Sequence, residues 1–225
     1  MHPTVNEIKE ALQSDAITHV LLDMDGTLLD KYFDDYFWEH LVPEKYADKH
    51  GVTFGTAKEE LLRKYKSHEE TLNWTDIEFW SNELGLDIMA LKEQIRHLIE
   101  VHPHVEDFLG LMQRRGKKVY IATNAHDKVL ALKLKKTEIG RFLTGTITSA
   151  EMGYPKEHQE FWQRAQRKLG FASEAALFVD DTLGVLKSAR KYGIKYLVYK
   201  ARGNSKAPPG HSPDFATVMD FNELM

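Results

Sequence analysis

Cysteine is absent from the 225 residues. Disulfides, thiolate zinc sites and a cysteine nucleophile are therefore excluded. No apolar run approaches the ~18 residues of a membrane span. The opening stretch, MHPTVNEIKEALQSDAITHV, also lacks the apolar segment of a signal peptide. A cytoplasmic location with no membrane partner is expected. An excess of positive charge is missing too. Thirty Lys and Arg against 34 Asp and Glu leave a net charge of −4, so a nucleic-acid binder led by phosphate contacts is not expected. No internal repeat and no feature demanding an obligate protein partner stands out. Hydrophobic residues at 42% nevertheless suffice for a buried core, which excludes general disorder.

Short apolar runs bounded by polar residues predict buried strands at 19–22, 118–122, 176–179 and 194–199, with a fifth at 144–148 resting on two-residue alternation. Helical spacing predicts helices over 105–114, 157–169 and 183–192, stopped by Gly116, Gly170 and Gly193. Alternation of strand and helix predicts an α/β fold, a Rossmann-like parallel sheet with helices on both faces. The segment between Asp23 and Thr123 is 100 residues long, far more than one crossover needs. Its excess carries only helical patterns, Phe33/Phe37/Leu41, Leu61/Leu62/Tyr65, Ile77/Trp80/Leu84 and Leu91/Ile95/Leu98. The expected organisation is a core of residues 1–29 and 104–225 with a helical insert over 30–103. Residues 201–213 read as a polar Gly/Pro-rich loop before a short C-terminal element.

The candidate chemistry sits at the predicted strand ends. Asp23 and Asp25 are two apart, and strand side chains two apart leave on one side, so two carboxylates converge where open α/β sheets bind ligands. Such a pair calls for a cation or a shared proton, and Mg²⁺ takes hard oxygen ligands. Taken alone, Asp25-Gly26 reads equally well as a hairpin turn. Thr123 and Asn124 end the next strand ahead of a helix start, a place for an anion or for an ordinary cap. Lys156, after Gly153-Tyr154-Pro155, offers a cation or is a plain surface lysine. Asp180 and Asp181 end a further strand and supply one more carboxylate than a helix cap requires. Each feature alone has a bland reading; their joint order along one sheet edge points to an active site. His97, His102 and His104 near the end of the insert lack the spacing of a zinc site and fit a return linker better.

DMDGT, the strand-end Thr123, Lys156 and Asp180-Asp181, in this order and with a helical insert after the first, resemble the haloacid dehalogenase (HAD) superfamily of phosphohydrolases. The insert position is similar to that of a C1-type cap. More narrowly, FDDYFWEHLVPEKYA, TLNW, TNAH and GYPKE resemble the purine 5′-nucleotidases of that superfamily. One departure from the pattern is that Gly184 and Val185 occupy the region where a further Asp would follow Asp180-Asp181. The resemblance implies a Mg²⁺-dependent phosphomonoester hydrolase with a small-molecule substrate, a purine nucleoside monophosphate such as GMP or IMP. It implies that Asp23 is the nucleophile and Asp25 the acid and base. Thr123, Asn124 and Lys156 would bind the phosphate, Lys156 also balancing the charge on Asp23. Asp23, Asp25 (through its carbonyl) and Asp181 would hold the metal, with Asp180 helping through water. The alternatives are a sugar phosphatase of the same superfamily and, more distantly, a non-enzymatic phospho-acceptor signalling module. Eleven of the 24 aromatic residues fall within 31–104, so a ring for stacking a base is feasible there. Asn73 is expected either to pair with that base or to cap a helix beginning near Trp74.

Overall fold

Strand β1 (His19–Leu22) is buried along its whole length and pairs in parallel with a neighbour on each side. Only a strand covered on both faces reads as the unbroken apolar run seen here. The computed structural model describes residues 3–225. Around β1 lie β2 (Lys118–Thr123), β3 (Gly145–Thr148), β4 (Ala176–Asp180), β5 (Tyr196–Lys200) and β6 (Ala216–Val218). All are parallel, in the order β3-β2-β1-β4-β5-β6. The order reverses between β1 and β4, and the crevice beyond the carboxyl ends of those two strands is where such sheets hold ligands.

Helix α1 (Val5–Gln13) precedes β1, and Thr4 and Glu7 close a reciprocal capping box at its start. A long helical stretch follows β1. Helix α2 (Tyr32–Tyr36) runs through a π-helical turn at Phe37–Leu41 into α3 (Val42–His50). Pro43 explains the widened turn: it has no N–H, and its ring clashes with the carbonyl four residues back. Then come α4 (Phe54–Lys66), α5 (Ile77–Leu84) and α6 (Ile88–Gln94). Phe33, Phe37, Leu41, Ile77, Trp80 and Leu84 are buried as their spacing predicts, whereas Leu62 is exposed. The chain returns through α7 (Val105–Arg114), with α8 (Asp127–Thr137), α9 (Ser149–Met152), α10 (Gln159–Leu169) and α11 (Leu183–Tyr192) linking the later strands.

The sheet separates two apolar clusters. Val20 and Leu22 face one, shared with α1, α7, α8 and the helices after β1; Leu21 and Phe178 face the other, against α10 and α11. Among the described residues no helix is long and apolar enough to cross a membrane. Three local expectations differ from the structure. Asp25-Gly26 does not join two hairpin strands: the chain turns there, and β1 has only parallel partners. Helix α10 starts at Gln159 rather than Glu157: the His158 amide bonds the Pro155 carbonyl at 3.0 Å, closing a separate turn, and His158 has extended backbone as the residue before the helix. Helix α5 begins at Ile77 with Asp76 as its cap, so Asn73 caps nothing and lies in a short 3₁₀ turn.

Candidate active site

Asp23 immediately follows β1, and its amide donates to the Val179 carbonyl of β4 at 2.9 Å, so the sheet itself fixes the residue. Its Oδ1 accepts from Lys156 Nζ at 2.5 Å. Its Oδ2 is buried with no hydrogen-bond partner. Lys156 also donates to Asp180 Oδ2 at 2.7 Å, and Asp180 Oδ1 accepts the Thr182 amide at 2.7 Å. Asp181 is reached by Lys31 Nζ on Oδ2 and by the Thr182 hydroxyl on Oδ1, each at 3.2 Å.

Burial pushes the Asp23 carboxyl up, Lys156 opposes this, and Asp181 adds to it. Burial likewise holds Asp180 well above the ordinary aspartate value. Lys156 is buried, which alone would lower it, but Asp180 and Asp23 hold it above the usual lysine value. The arrangement thus concentrates negative charge beyond what its lysines neutralise.

One oxygen each from Asp23, Asp180 and Asp181 lie within 4.8 Å of one another. The donor set is all hard oxygen, and three carboxylates gather there against two lysines. These features fit a small divalent cation of the Mg²⁺ type. Two glycines make room for the Asp181 carboxylate. A Cβ on Gly26, which has φ +89°, would lie 2.2 Å from Asp181 Oδ2, and one on Gly203 would lie 2.8 Å from the same atom.

Asp25 is placed differently from the strand-alternation expectation. The amides of Leu28 and Leu29 both bond the Met24 carbonyl, closing a turn, so the alternation of β1 does not continue to residue 25. The Asp25 carboxyl leaves the cluster of three and accepts from Lys133 Nζ at 2.6 Å. Burial raises it to about 6, against the pull of Lys133 and with the help of Asp34 and Asp23. Lys133 also bonds Asp34 Oδ2 at 2.5 Å, and Lys92 bonds Asp34 Oδ1 at 2.8 Å.

Thr123 is buried at the end of β2, where its Oγ1 accepts the Ala125 amide at 3.0 Å and keeps its own proton free to donate. Asn124 is occupied with scaffolding: its Nδ2 donates to Glu157 and its Oδ1 accepts from the Lys156 amide. Asp23, Asp25, Thr123, Asn124, Lys156 and Asp181 line one cavity of about 520 Å³, within the ~300–1,000 Å³ usual for small-molecule sites. Asp180 is fully buried, is not among the lining residues, and is linked to the cavity through its bond from Lys156. The segment after β1 adds Trp38, Tyr65, Trp74 and Trp80 to the lining as an aromatic wall. Asn73 is not among the lining residues. The three histidines of the return segment do not converge: His102 meets the Gly203 carbonyl, and His104 approaches Asp107.

Lys31, Asp34, Lys92 and Lys133 are the site residues that sequence reasoning missed. A signal was present for two of them. Lys133 falls on the apolar face of α8 with Val129 and Leu130, and Lys92 follows Leu91 on the buried face of α6. A lysine interrupting an apolar stripe needs a buried partner.

Comparison with known proteins adds similarity of sequence and of fold. A sequence model of the haloacid dehalogenase-like hydrolases matches residues 17–193. GMP/IMP nucleotidase YrfG of Escherichia coli K12 is 40% identical over 206 residues, covering 92% of this chain and 93% of that one. A phosphoglycolate phosphatase of Pseudomonas savastanoi is 23% identical over 213 residues, covering 92% of this chain and 78% of its own length. Among solved structures, a HAD phosphatase from Thermococcus onnurineus superposes with a TM-score of 0.79 at 23% identity, over 92% of this chain and 96% of that one.

Proposed function

Because the chain belongs to the haloacid dehalogenase-like hydrolases, we propose that it is a phosphatase that releases phosphate from purine nucleoside 5′-monophosphates, GMP and IMP foremost, by way of a phosphoryl group carried on Asp23. The observation that carries the reading is the Asp23 carboxylate: one oxygen tied to Lys156, the other free at the floor of a cavity with an aromatic wall.

In the first step the free Asp23 oxygen attacks phosphorus while the bond from phosphorus to the ribose 5′ oxygen breaks. The Asp25 carboxyl, raised by burial to about 6, gives its proton to that departing oxygen. In the second step water attacks phosphorus, Asp25 takes the water's proton, and the bond to Asp23 breaks to restore the carboxylate. The Thr123 hydroxyl and the amides beyond β2 hold phosphate oxygens, and Lys156 directs its remaining proton to another. Asn124 serves by fixing the Lys156 loop. A Mg²⁺ ion would be held by Asp23, Asp181 and the Asp25 carbonyl, with Asp180 acting through water. It would supply positive charge against the repulsion between phosphate and an anionic nucleophile.

The helices of residues 30–103 act in this reading as a cap over a core of residues 1–29 and 104–225. The purine preference rests on the 40% identity to a GMP/IMP nucleotidase and on the rings of Trp38, Tyr65 and Trp74, which offer faces on which a base can stack. Trp74 is 39% exposed, unlike its buried neighbour Trp80. A sugar phosphate makes poor use of such a wall. A phospho-acceptor signalling module is inconsistent with membership of a hydrolase family. Phosphate release with Mg²⁺ from GMP, IMP, AMP and glucose 6-phosphate tests the proposal. GMP and IMP should show the highest kcat/KM. If glucose 6-phosphate leads, the purine reading falls and the phosphatase reading stands; no release from any of the four overturns both.

A further inference from the structure

Lys133 is almost completely buried in the middle of α8, and burying an ammonium group is costly unless carboxylates surround it. Its two carboxylate partners come from different parts of the chain. Asp25 belongs to the turn after β1, and Asp34 belongs to α2, at the root of the helical segment. The second oxygen of Asp34 is taken by Lys92 of α6, which is buried as well and sits 4.2 Å from the Phe37 ring centre. Among the described residues, Lys133 is the one hydrogen-bond partner of the Asp25 carboxyl. Two lysines face one aspartate within the helical segment, so the charges balance only when Asp25 is included.

We propose that Lys133 is a positioning residue for Asp25, and that the row Lys92–Asp34–Lys133 makes the orientation of Asp25 depend on how the helical segment is seated on the sheet. Lys133 fixes one Asp25 oxygen and leaves the other for the departing group. Asp34 fixes Lys133, and Lys92 fixes Asp34 from α6, part of the same helical segment as the cavity's aromatic wall. A substrate that seats that wall also aims the acid. This inference rests on the reading of Asp25 as the proton donor.

The test compares two leaving groups in a single turnover. A ribose alkoxide must be protonated as it leaves, whereas nitrophenolate is stable enough to leave unaided. The first nitrophenolate released from p-nitrophenyl phosphate, one per enzyme, therefore reports folding and Asp23 chemistry without the acid. In Lys133→Met the first-turnover rate on GMP should fall by on the order of 10²-fold, while the nitrophenolate burst is little changed. Lys92→Met should show the same selective loss, to a smaller degree. If Lys133→Met does not fold, Lys92→Met and Asp34→Asn carry the test under the same criterion. Parallel loss on both substrates, or no loss on either, overturns the inference. Asp25→Asn separates it from the reading beneath it. If Asp25→Asn lacks the selective loss, Asp25 is not the acid and both fall. If Asp25→Asn shows it and the lysine variants do not, only the positioning role falls.

Discussion

Asp23 carries two demands in its two oxygens, one held by a lysine and one kept bare. Asp23→Asn preserves shape but removes the negative charge, so phosphate release should drop to background while circular dichroism and thermal unfolding stay close to those of the parent. Undiminished turnover would remove Asp23 from the mechanism. Thr123→Ala should be milder, since backbone amides would remain at the proposed phosphate site. His102 offers a different test at the same scale. It is buried against the Gly203 carbonyl, and burial, with help from Lys200, lowers its pKa below the ordinary 6.5. The folded protein therefore binds this proton less readily than the unfolded chain does. The stability linked to His102 is complete above about pH 6.5 and is lost as pH falls through its lower folded value. Between pH 7 and 5.5 the fall in unfolding free energy should be shallower in His102→Gln than in the parent; equal slopes would show that His102 does not contribute.

At the scale of elements, the turn after β1 does more than reverse the chain. Gly26 has φ +89° and lies against Asp181. Gly26→Ala should cost about 1–2 kcal/mol for the backbone conformation alone, with more from the contact with the carboxylate. It should also weaken metal binding, measured by titration calorimetry. An unchanged affinity would show that the turn relaxes without disturbing Asp181. The same turn marks where sequence reasoning stops. Strands β1, β2, β4 and β5 were legible because each is a buried run with polar ends, and the strand-end residues Asp23, Thr123 and Asp180 were legible with them. Three-residue β6 is too short to carry a period, so it was visible only as an unassigned C-terminal element. The direction taken by Asp25 depends on Lys133, 108 residues away, and a pairing over that distance leaves no local pattern. The π-helical turn before Pro43 was equally hidden, because Phe33, Phe37 and Leu41 fit ordinary helical spacing.

For the whole molecule, a cation held by the surplus of carboxylates where β1 meets β4 would link metal binding to stability. Adding Mg²⁺ to the metal-free protein should raise Tm, with the rise growing with concentration as linkage requires. The rise should shrink more in Asp181→Asn than in Asp180→Asn, because both Asp180 oxygens are held by bonds of 2.7 Å, whereas the bonds to Asp181 are longer, at 3.2 Å, and more readily given up to a cation. The reverse ranking would exchange their roles.

Both crossings between the sheet and its helical segment are stitched to one loop. Leu29 bridges Val101, and the His102 amide bonds the Leu28 carbonyl. Gly203 then receives the Lys31 amide and the His102 ring, Asn204 donates to Asp35, and the Ser205 amide donates to Asp30. The helical segment is thus not an interchangeable module. A chimaera that replaced residues 30–103 with a foreign bundle would strand Asn204 and Ser205 without acceptors. New specificities are therefore reached more readily by altering the wall at Trp38, Tyr65 and Trp74 than by exchanging the bundle, and a successful graft would have to carry residues 202–205 along with it.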